Sequence, residues 1–123
     1  LAALPERTRR RQRNASYLTS ELRNVVTPSI APGAEHVFHQ YTIRLPGHDR
    51  DQFVEQLAHA GVEARVYYPV PVHRLAPFAS ELELPVTNSA ASEVVSLPVY
   101  PSLDESELDR VIEAVNELAA AGS

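Results

Sequence analysis

The placement of proline constrains how this chain can fold more than any other feature of its sequence. Between Tyr68 and Asn88 stand four of its 10 prolines, Pro69, Pro71, Pro77 and Pro85. Proline lacks a backbone N–H and holds φ at about −65°, so it is kept out of helix interiors and central strands. We therefore predict a long connection here, stiffened by proline. A loop of this length within a compact domain is usually functional or mobile, or it indicates a misread element.

Ahead of this loop, the apolar pattern predicts a helix, a strand, a helix and a strand. The first helix covers about 5–26, where the apolar residues at helical spacing are Ala15, Leu18, Leu22 and Val25. Over 36–45 the residues alternate, which predicts a strand whose apolar face carries Val37, His39, Tyr41, Ile43 and Leu45. The second helix follows an Asp49 cap and stops at Gly61, before a strand over 62–68. Its predicted buried residues are Phe53, Val54, Leu57 and Ala58.

After the loop, we predict a short helix, a short edge strand and a long final helix. The short helix contains Ala90, Ala91, Val94 and Val95, and the edge strand over 97–100 tolerates its one proline. Ser102 and Glu105 have the spacing of a capping box that starts the last helix. The residues that this helix should bury are Leu108, Val111, Ile112, Val115 and Leu118. The order predicts an α+β fold, a small few-stranded sheet with helices packed on it.

Several residue types are missing from the chain, and their absence excludes whole classes of chemistry. There is no cysteine and no methionine, and all 11 basic residues are arginines. A disulfide, a thiolate nucleophile, a cysteine-ligated zinc and a Schiff base on lysine are therefore excluded within this chain. Because position 1 is leucine rather than methionine, we expect the chain to be a piece of something longer.

The lengths of the apolar runs, the spacing of the histidines and the position of the arginines indicate which partners the chain can have. No apolar run approaches the roughly 20 residues of a membrane helix, and no spacing sets two histidines and a carboxylate on one face, so we expect neither a membrane nor a metal. The five arginines between Arg7 and Arg13 form a basic run. Such a run marks either a nucleic-acid site or a solvated helix face that docks on another domain. No aromatic residue is interleaved with the arginines, so we favour the second interpretation and expect no nucleic-acid partner.

The segment 65–73, Arg-Val-Tyr-Tyr-Pro-Val-Pro-Val-His, is the most informative part of the chain. Its two prolines push the residues before them toward extended conformations, so the backbone that leads to His73 is nearly predetermined. Such a segment can hold Tyr67, Tyr68 and His73 in place at low entropic cost. Histidine titrates near neutral pH and can hydrogen-bond a phosphate or share a proton. A proline-rich surface connection with aromatic packing is the structural alternative.

Two residues of the first predicted strand have both a structural and a functional interpretation. His39 lies on the mostly apolar face, where it is either a hydrogen-bonded core histidine or a group that reaches a cleft at the sheet edge. Arg44 lies on the other face, where it either clamps a carboxylate or phosphate through two hydrogen bonds or forms a structural ion pair.

Three segments occur in an order that resembles a known family. They are 38–44 (Phe-His-Gln-Tyr-Thr-Ile-Arg), 66–73 (Val-Tyr-Tyr-Pro-Val-Pro-Val-His), which follows Gly61-Val62, and 97–101 (Leu-Pro-Val-Tyr-Pro) ahead of the final helix. Together they resemble the C-terminal domain of the DegT/DnrJ/EryC1/StrS sugar aminotransferases. The resemblance covers nearly the whole chain, including the arginine-rich opening helix.

This resemblance implies a fold, a reaction and a set of partners. Residues 1–123 would be one small C-terminal α+β domain, similar to that of the fold-type I aminotransferases, which closes over pyridoxal phosphate held on a lysine of a large domain of the same polypeptide. The resemblance also implies that glutamate is the amino donor, that a keto sugar attached to a nucleotide is the acceptor, and that the whole enzyme acts as a cytoplasmic homodimer. The chain would then contain no catalytic residue, since the cofactor lysine is elsewhere, and would be inactive alone.

The resemblance also implies which residues meet the substrate. His73 and Tyr67 would face the nucleotide-sugar, Tyr68 would shape that wall, and His39 would approach the cleft from the first strand. Arg44 is a weaker candidate, for the carboxylate of the donor. The competing hypothesis is a free-standing α+β module that binds a ligand or partner without chemistry, through its arginine-rich first helix.

Overall fold

The computed structural model describes residues 2–122, which form a small α+β fold. Its helices and strands are α1 (Leu4–Glu21), β1 (Tyr41–Arg44), α2 (Arg50–His59), α3 (Pro85–Glu93), β2 (Val94–Leu97) and α4 (Glu105–Ala121). Two 3₁₀ turns, Val72–Arg74 and Ala76–Phe78, lie in the long proline-containing connection. The predicted fold class, helices packed on a small sheet, is confirmed.

The sheet is a two-stranded antiparallel pair that presents one apolar face to the helices. Tyr41 lies opposite Leu97 and Ile43 lies opposite Val95, and all four side chains are buried. Helices α1, α2 and α4 complete the core with Ala15, Leu18, Phe53, Leu57, Leu108, Val111, Ile112, Val115 and Ala119. Leu118, which was predicted to be buried, is half-buried and packs against this core.

Helix α1 ends at Glu21 rather than at about 26 because contacts from α4 replace its own hydrogen bonds. The side chain of Asn116 accepts a hydrogen bond from the backbone N–H of Arg23 at 2.7 Å and donates one to the carbonyl of Glu21 at 3.0 Å. Asn24 then adopts a φ of 60°, a left-handed conformation that cannot continue the helix.

The first strand is shorter than the predicted 36–45. Phe38 has a φ of 48°, and its N–H is bonded to Nδ1 of His36 at 2.8 Å, so the chain turns there and the alternation breaks. Phe38 is buried in consequence, whereas Val37 and His39, predicted on the apolar face, are exposed. The core-histidine interpretation of His39 is therefore wrong.

The strand predicted over 62–68 is reduced to one paired residue. Arg65 exchanges two backbone hydrogen bonds with Ser96, at 2.9 and 2.8 Å, and forms an isolated bridge beside β2. The N–H of Val62 is already bonded to the carbonyl of Leu57 at the end of α2. The N–H of Ala64 is bonded to the carbonyl of Val62, and Pro69 has no N–H to donate to a neighbouring strand.

The helix and the strand after the loop are both shifted toward the N-terminus. Helix α3 begins at Pro85, and β2 occupies Val94–Leu97 instead of 97–100. Val94 and Val95, predicted in the helix, belong to the strand, since β-branched residues pack well on a pleated surface. Pro98 follows immediately and ends the pairing.

The ends of α2 and α4 are set by side-chain caps. Asp49 starts α2 as predicted and accepts a hydrogen bond from the N–H of Gln52 at 3.0 Å, although Ala58 on this helix is exposed rather than buried. Ala58 follows the buried Leu57 by about 100° around the helix, which turns it to solvent.

The capping box of α4 is Asp104 with Glu107, not Ser102 with Glu105. Each of the two side chains accepts the backbone N–H of the other residue, at 2.8 and 2.9 Å. The same spacing of an oxygen-bearing cap and a glutamate occurs at both pairs of positions, so the sequence alone does not distinguish them.

Candidate functional site

An open cleft of about 470 Å³ lies at the end of the sheet where β1 begins and β2 ends. Helices α1 and α4 contribute to its walls, together with the segments that follow α2 and β2. The charged, polar and aromatic side chains that line it are Arg11, His39, Gln40, Glu63, Arg65, Ser96, Tyr67, Tyr100, Glu107 and Arg110. Its volume is in the range of small-molecule sites.

Two of the predicted site residues, His39 and Tyr67, meet at this cleft. His39 follows the buried Phe38, whose positive φ turns His39 outward. Tyr67 lies two residues beyond Arg65, which is tied to the sheet edge, and its side chain is about half exposed. The backbone on each side of the cleft is therefore anchored to the core.

His73 lies outside the cleft lining, in the 3₁₀ turn Val72–Arg74. Pro71 precedes the turn with a φ of −59°, which is the stiffening that the sequence predicts. The carbonyl of His73 accepts a hydrogen bond from the N–H of Ser80 at 3.0 Å. Its Nε2 is buried, and no group within residues 2–122 forms a hydrogen bond with it. This nitrogen can therefore bind a group that comes from outside the described part of the chain.

Tyr68 is 75% exposed and also lies outside the cleft lining. It belongs to a run of exposed apolar side chains in the long connection: Tyr68, Val70, Val72, Phe78, Leu82 and Val86. Exposed apolar surface of this kind is typical of a region that another protein segment or a ligand covers.

Arg44 forms the structural ion pair that was one of its two interpretations. Its Nε and Nη2 donate to Oε2 of Glu93 at 2.9 and 2.7 Å, and Ser89 donates to the other carboxylate oxygen of Glu93 at 2.8 Å. These hydrogen bonds, first that of Ser89 and then that of Arg44, hold the pKa of Glu93 below its usual range. Arg44 does not line the cleft.

The cleft residues that sequence reasoning did not assign to a site include Arg11, Arg65, Tyr100 and Arg110. Arg11 belongs to the basic run and Arg65 opens the informative segment, but neither signal assigns them to a cleft. Arg110 lies on α4 without any pattern around it. Its Nη2 would be 2.9 Å from a Cβ at Gly61, so the missing side chain of that glycine leaves room for the guanidinium.

The rest of the basic run is a solvated helix face. Glu6 accepts hydrogen bonds from Arg9 at 3.2 Å and from Arg10 at 3.0 Å, and Arg13 lies 3.9 Å away. The hydrogen bonds from Arg10 and Arg9 lower the pKa of Glu6. All these side chains are about half exposed or more, so solvent screens the attraction.

Residues 2–122 hold no candidate for a membrane span and none for a metal site. No helix there combines the length and the apolarity that crossing a membrane requires. In the same residues, no three histidine, cysteine, aspartate or glutamate side chains are grouped so that they could hold a metal ion.

Comparison with known proteins identifies relatives over nearly the whole chain. A model of the DegT/DnrJ/EryC1/StrS aminotransferase family matches residues 1–116. A pleiotropic regulatory protein of Geobacillus stearothermophilus is 40% identical over 119 residues, which cover 89% of this chain and 32% of that protein. A dTDP-3-amino-3,4,6-trideoxy-alpha-D-glucose transaminase of Micromonospora megalomicea is 42% identical over 96 residues, which cover 74% of this chain and 25% of that protein.

Solved structures agree with these sequence relatives. The S. venezuelae protein DesV superimposes with a TM-score of 0.89 at 35% identity, over 97% of this chain and 33% of that chain. The chain therefore spans about a third of the length of the proteins that it matches.

Proposed function

This chain belongs to the DegT/DnrJ/EryC1/StrS aminotransferase family, and we propose that it is the C-terminal, substrate-closing domain of a larger aminotransferase. In this proposal the whole enzyme uses pyridoxal phosphate and glutamate to aminate a keto sugar attached to a nucleotide. The observation that carries the proposal is the match to sugar transaminases over 74 to 94% of this chain but only 25 to 32% of theirs.

The residues of this chain do not fit covalent attachment of pyridoxal phosphate. The cofactor is held in such enzymes as an imine of a lysine, and the sequence contains no lysine. The proposal assigns the attachment to a large domain outside the 123 residues, and to this chain it assigns substrate binding.

We propose that residues of the first strand region and of the long proline-containing connection contact the nucleotide-sugar. Tyr67 and His39 line the same cleft, so they can contact one bound molecule. His73 has a buried Nε2 that lacks a partner within residues 2–122, which suits a hydrogen bond to the substrate. Tyr68, exposed beside them, would shape the wall. Arg44 is the weakest candidate, because binding the donor carboxylate requires it to leave or share Glu93.

The exposed apolar run of the long connection supports the remaining part of the proposal, that this chain packs against more protein. We propose that the large domain and a second subunit of a cytoplasmic homodimer cover it. Burial of apolar side chains such as Phe78 and Leu82 would then add to the stability of the whole enzyme.

An assay of the longer protein encoded by the same gene tests this function. With glutamate and a dTDP- or UDP-linked keto sugar, we expect 2-oxoglutarate to form in proportion to the sugar, and the 123-residue chain alone to form none. The matched control is the same nucleotide-linked sugar without its keto group, which should give no product. If a start codon directly precedes Leu1, or if the longer protein aminates no keto sugar, the chain is instead a non-catalytic binding module.

A further inference from the structure

One guanidinium atom of α1 is buried without a partner at the cleft. The Nε of Arg11 is shielded from solvent, and no acceptor within residues 2–122 forms a hydrogen bond with it. Arg11 is also one of the side chains that line the cleft of about 470 Å³. Buried N–H groups in native proteins are nearly always paired, because leaving one unpaired costs its full desolvation. An acceptor that enters through the cleft would pair it.

Three arginines and two glutamates line the cleft, so its charged side chains leave an excess of one positive charge. Neither Arg11 nor Arg110 forms an ion pair with a carboxylate of residues 2–122. Each of the two acidic residues that line the cleft already has a hydrogen-bonded partner. Glu63 pairs with Arg65, and Glu107 accepts a backbone N–H at the start of α4 at 2.9 Å. The cleft therefore offers two guanidinium groups to an anion.

We propose that this cleft binds the phosphate groups of the nucleotide-linked substrate, with Arg11 and Arg110 holding the oxygens. A planar guanidinium matches two phosphate oxygens with parallel hydrogen bonds. Tyr67 and Tyr100 line the same cleft, and each is 49% exposed. The choice of ligand rests on the proposed function, whereas the binding of an oxyanion does not.

Titration of pyrophosphate into the 123-residue chain tests the site, with phosphorus NMR and calorimetry as readouts. We expect saturable binding, which Arg11→Gln weakens about 10-fold or more and Arg110→Gln weakens in the same direction. Arg11→Lys should also weaken it, since lysine keeps the charge but lacks the Nε donor and the planar fork. The control is Arg13→Gln, an exposed arginine about 200° around α1 from Arg11, which should change the Kd by less than about twofold.

Thermal unfolding of each variant identifies any that fails to fold, and the exposed Arg110 supplies a second variant if Arg11→Gln does so. Absence of saturable binding to the wild type, or equal weakening by Arg13→Gln, overturns the proposal. Glutamate is titrated in parallel, and equal binding of glutamate would assign the cleft to the donor carboxylate instead. In the longer protein, amination with an unchanged KM for the nucleotide-sugar in Arg11→Gln would refute the phosphate site but not the enzyme. Pyrophosphate binding without any amination would refute the enzyme but not the oxyanion site.

Discussion

Arg44 and Glu93 join the first strand to the helix that precedes the second, with 2.7 Å between Nη2 and Oε2. Arg44 lies on the face of β1 opposite the buried Tyr41 and Ile43, so the pair sits outside the apolar core. Ser89, one turn before Glu93 on α3, donates to the same carboxylate. The pair therefore fixes the position of α3 against the sheet.

The first prediction concerns acid unfolding. The pKa of Glu93 is lowered in the folded chain, so its contribution to stability is present above the ordinary value of 4.5 and is lost as the pH falls through the lower folded value. Glu93→Gln removes this titration and should flatten the loss of stability below about pH 4.5. Urea unfolding at a series of acidic pH values measures it. Ser89→Ala and Arg44→Gln should each flatten the curve as well, because both side chains hydrogen-bond the ionised carboxylate, and an unchanged curve in both variants would contradict the assignment.

The second prediction concerns alkaline unfolding. The phenol of Tyr17 on α1 donates to Oδ1 of Asp109 on α4 at 2.6 Å, and this hydrogen bond together with desolvation raises the pKa of Tyr17 to about 12. The unfolded chain loses that proton near 10, so the contribution is complete below about pH 10 and disappears as the pH rises through about 12. Tyr17→Phe should therefore lose less stability than the wild type between these values.

The amino-acid composition limits the number of side chains that titrate at alkaline pH. The chain has no lysine and no cysteine, so no ammonium or thiol side chain titrates alongside the tyrosines at alkaline pH. Phenolate absorbance, followed against pH, should show one tyrosine fewer in the highest step for Tyr17→Phe. An unchanged high-pH step in that variant would mean that the Asp109 hydrogen bond does not hold the proton.

The third prediction separates core from site. Ile112 on α4 is 92% buried among the sheet and helices, so Ile112→Ala should cost about 2 to 5 kcal/mol through lost transfer energy and a cavity. His73→Ala should cost much less, since the half-buried imidazole gains no hydrogen bond at its buried Nε2 within residues 2–122. Chemical unfolding of both variants decides it, and similar losses would assign His73 to the packing of the domain.

The sequence predicted the elements whose ends are determined locally. The final helix and α2 depend on apolar periodicity and on caps such as Asp49, and both were predicted within a few residues. The end of α1 depends instead on Asn116, more than 90 positions away, and the short β1 depends on the turn at Phe38. The contact with Asn116 joins distant segments and leaves no mark in the local pattern. The turn at Phe38 is local, but the alternation of residues over 36–45 hides it.

The residues of the candidate site also differ in whether nearby sequence or distant contacts determine their positions. Tyr67 and His39 were expected at the substrate from the family resemblance of their segments, and both line one cleft. Arg110 reaches that cleft only because Gly61, from another element, leaves room for its guanidinium. Pairwise proximity of this kind depends on how helices pack, so no spacing along α4 indicates it.

The last prediction applies to the longer enzyme and to the half-reactions of sugar and donor. If His73 and Tyr67 contact the nucleotide-sugar, His73→Ala should lower kcat/KM for the sugar about 10- to 150-fold, the range for losing one charged or charge-assisted hydrogen bond. The half-reaction with glutamate should change little. It requires the lysine and a clamp for the donor carboxylate, and His73 is proposed to supply neither. Single-turnover spectroscopy of the two half-reactions measures the difference. Equal damage to both would mean that His73 positions the whole domain, and damage to neither would make it a residue of a structural loop.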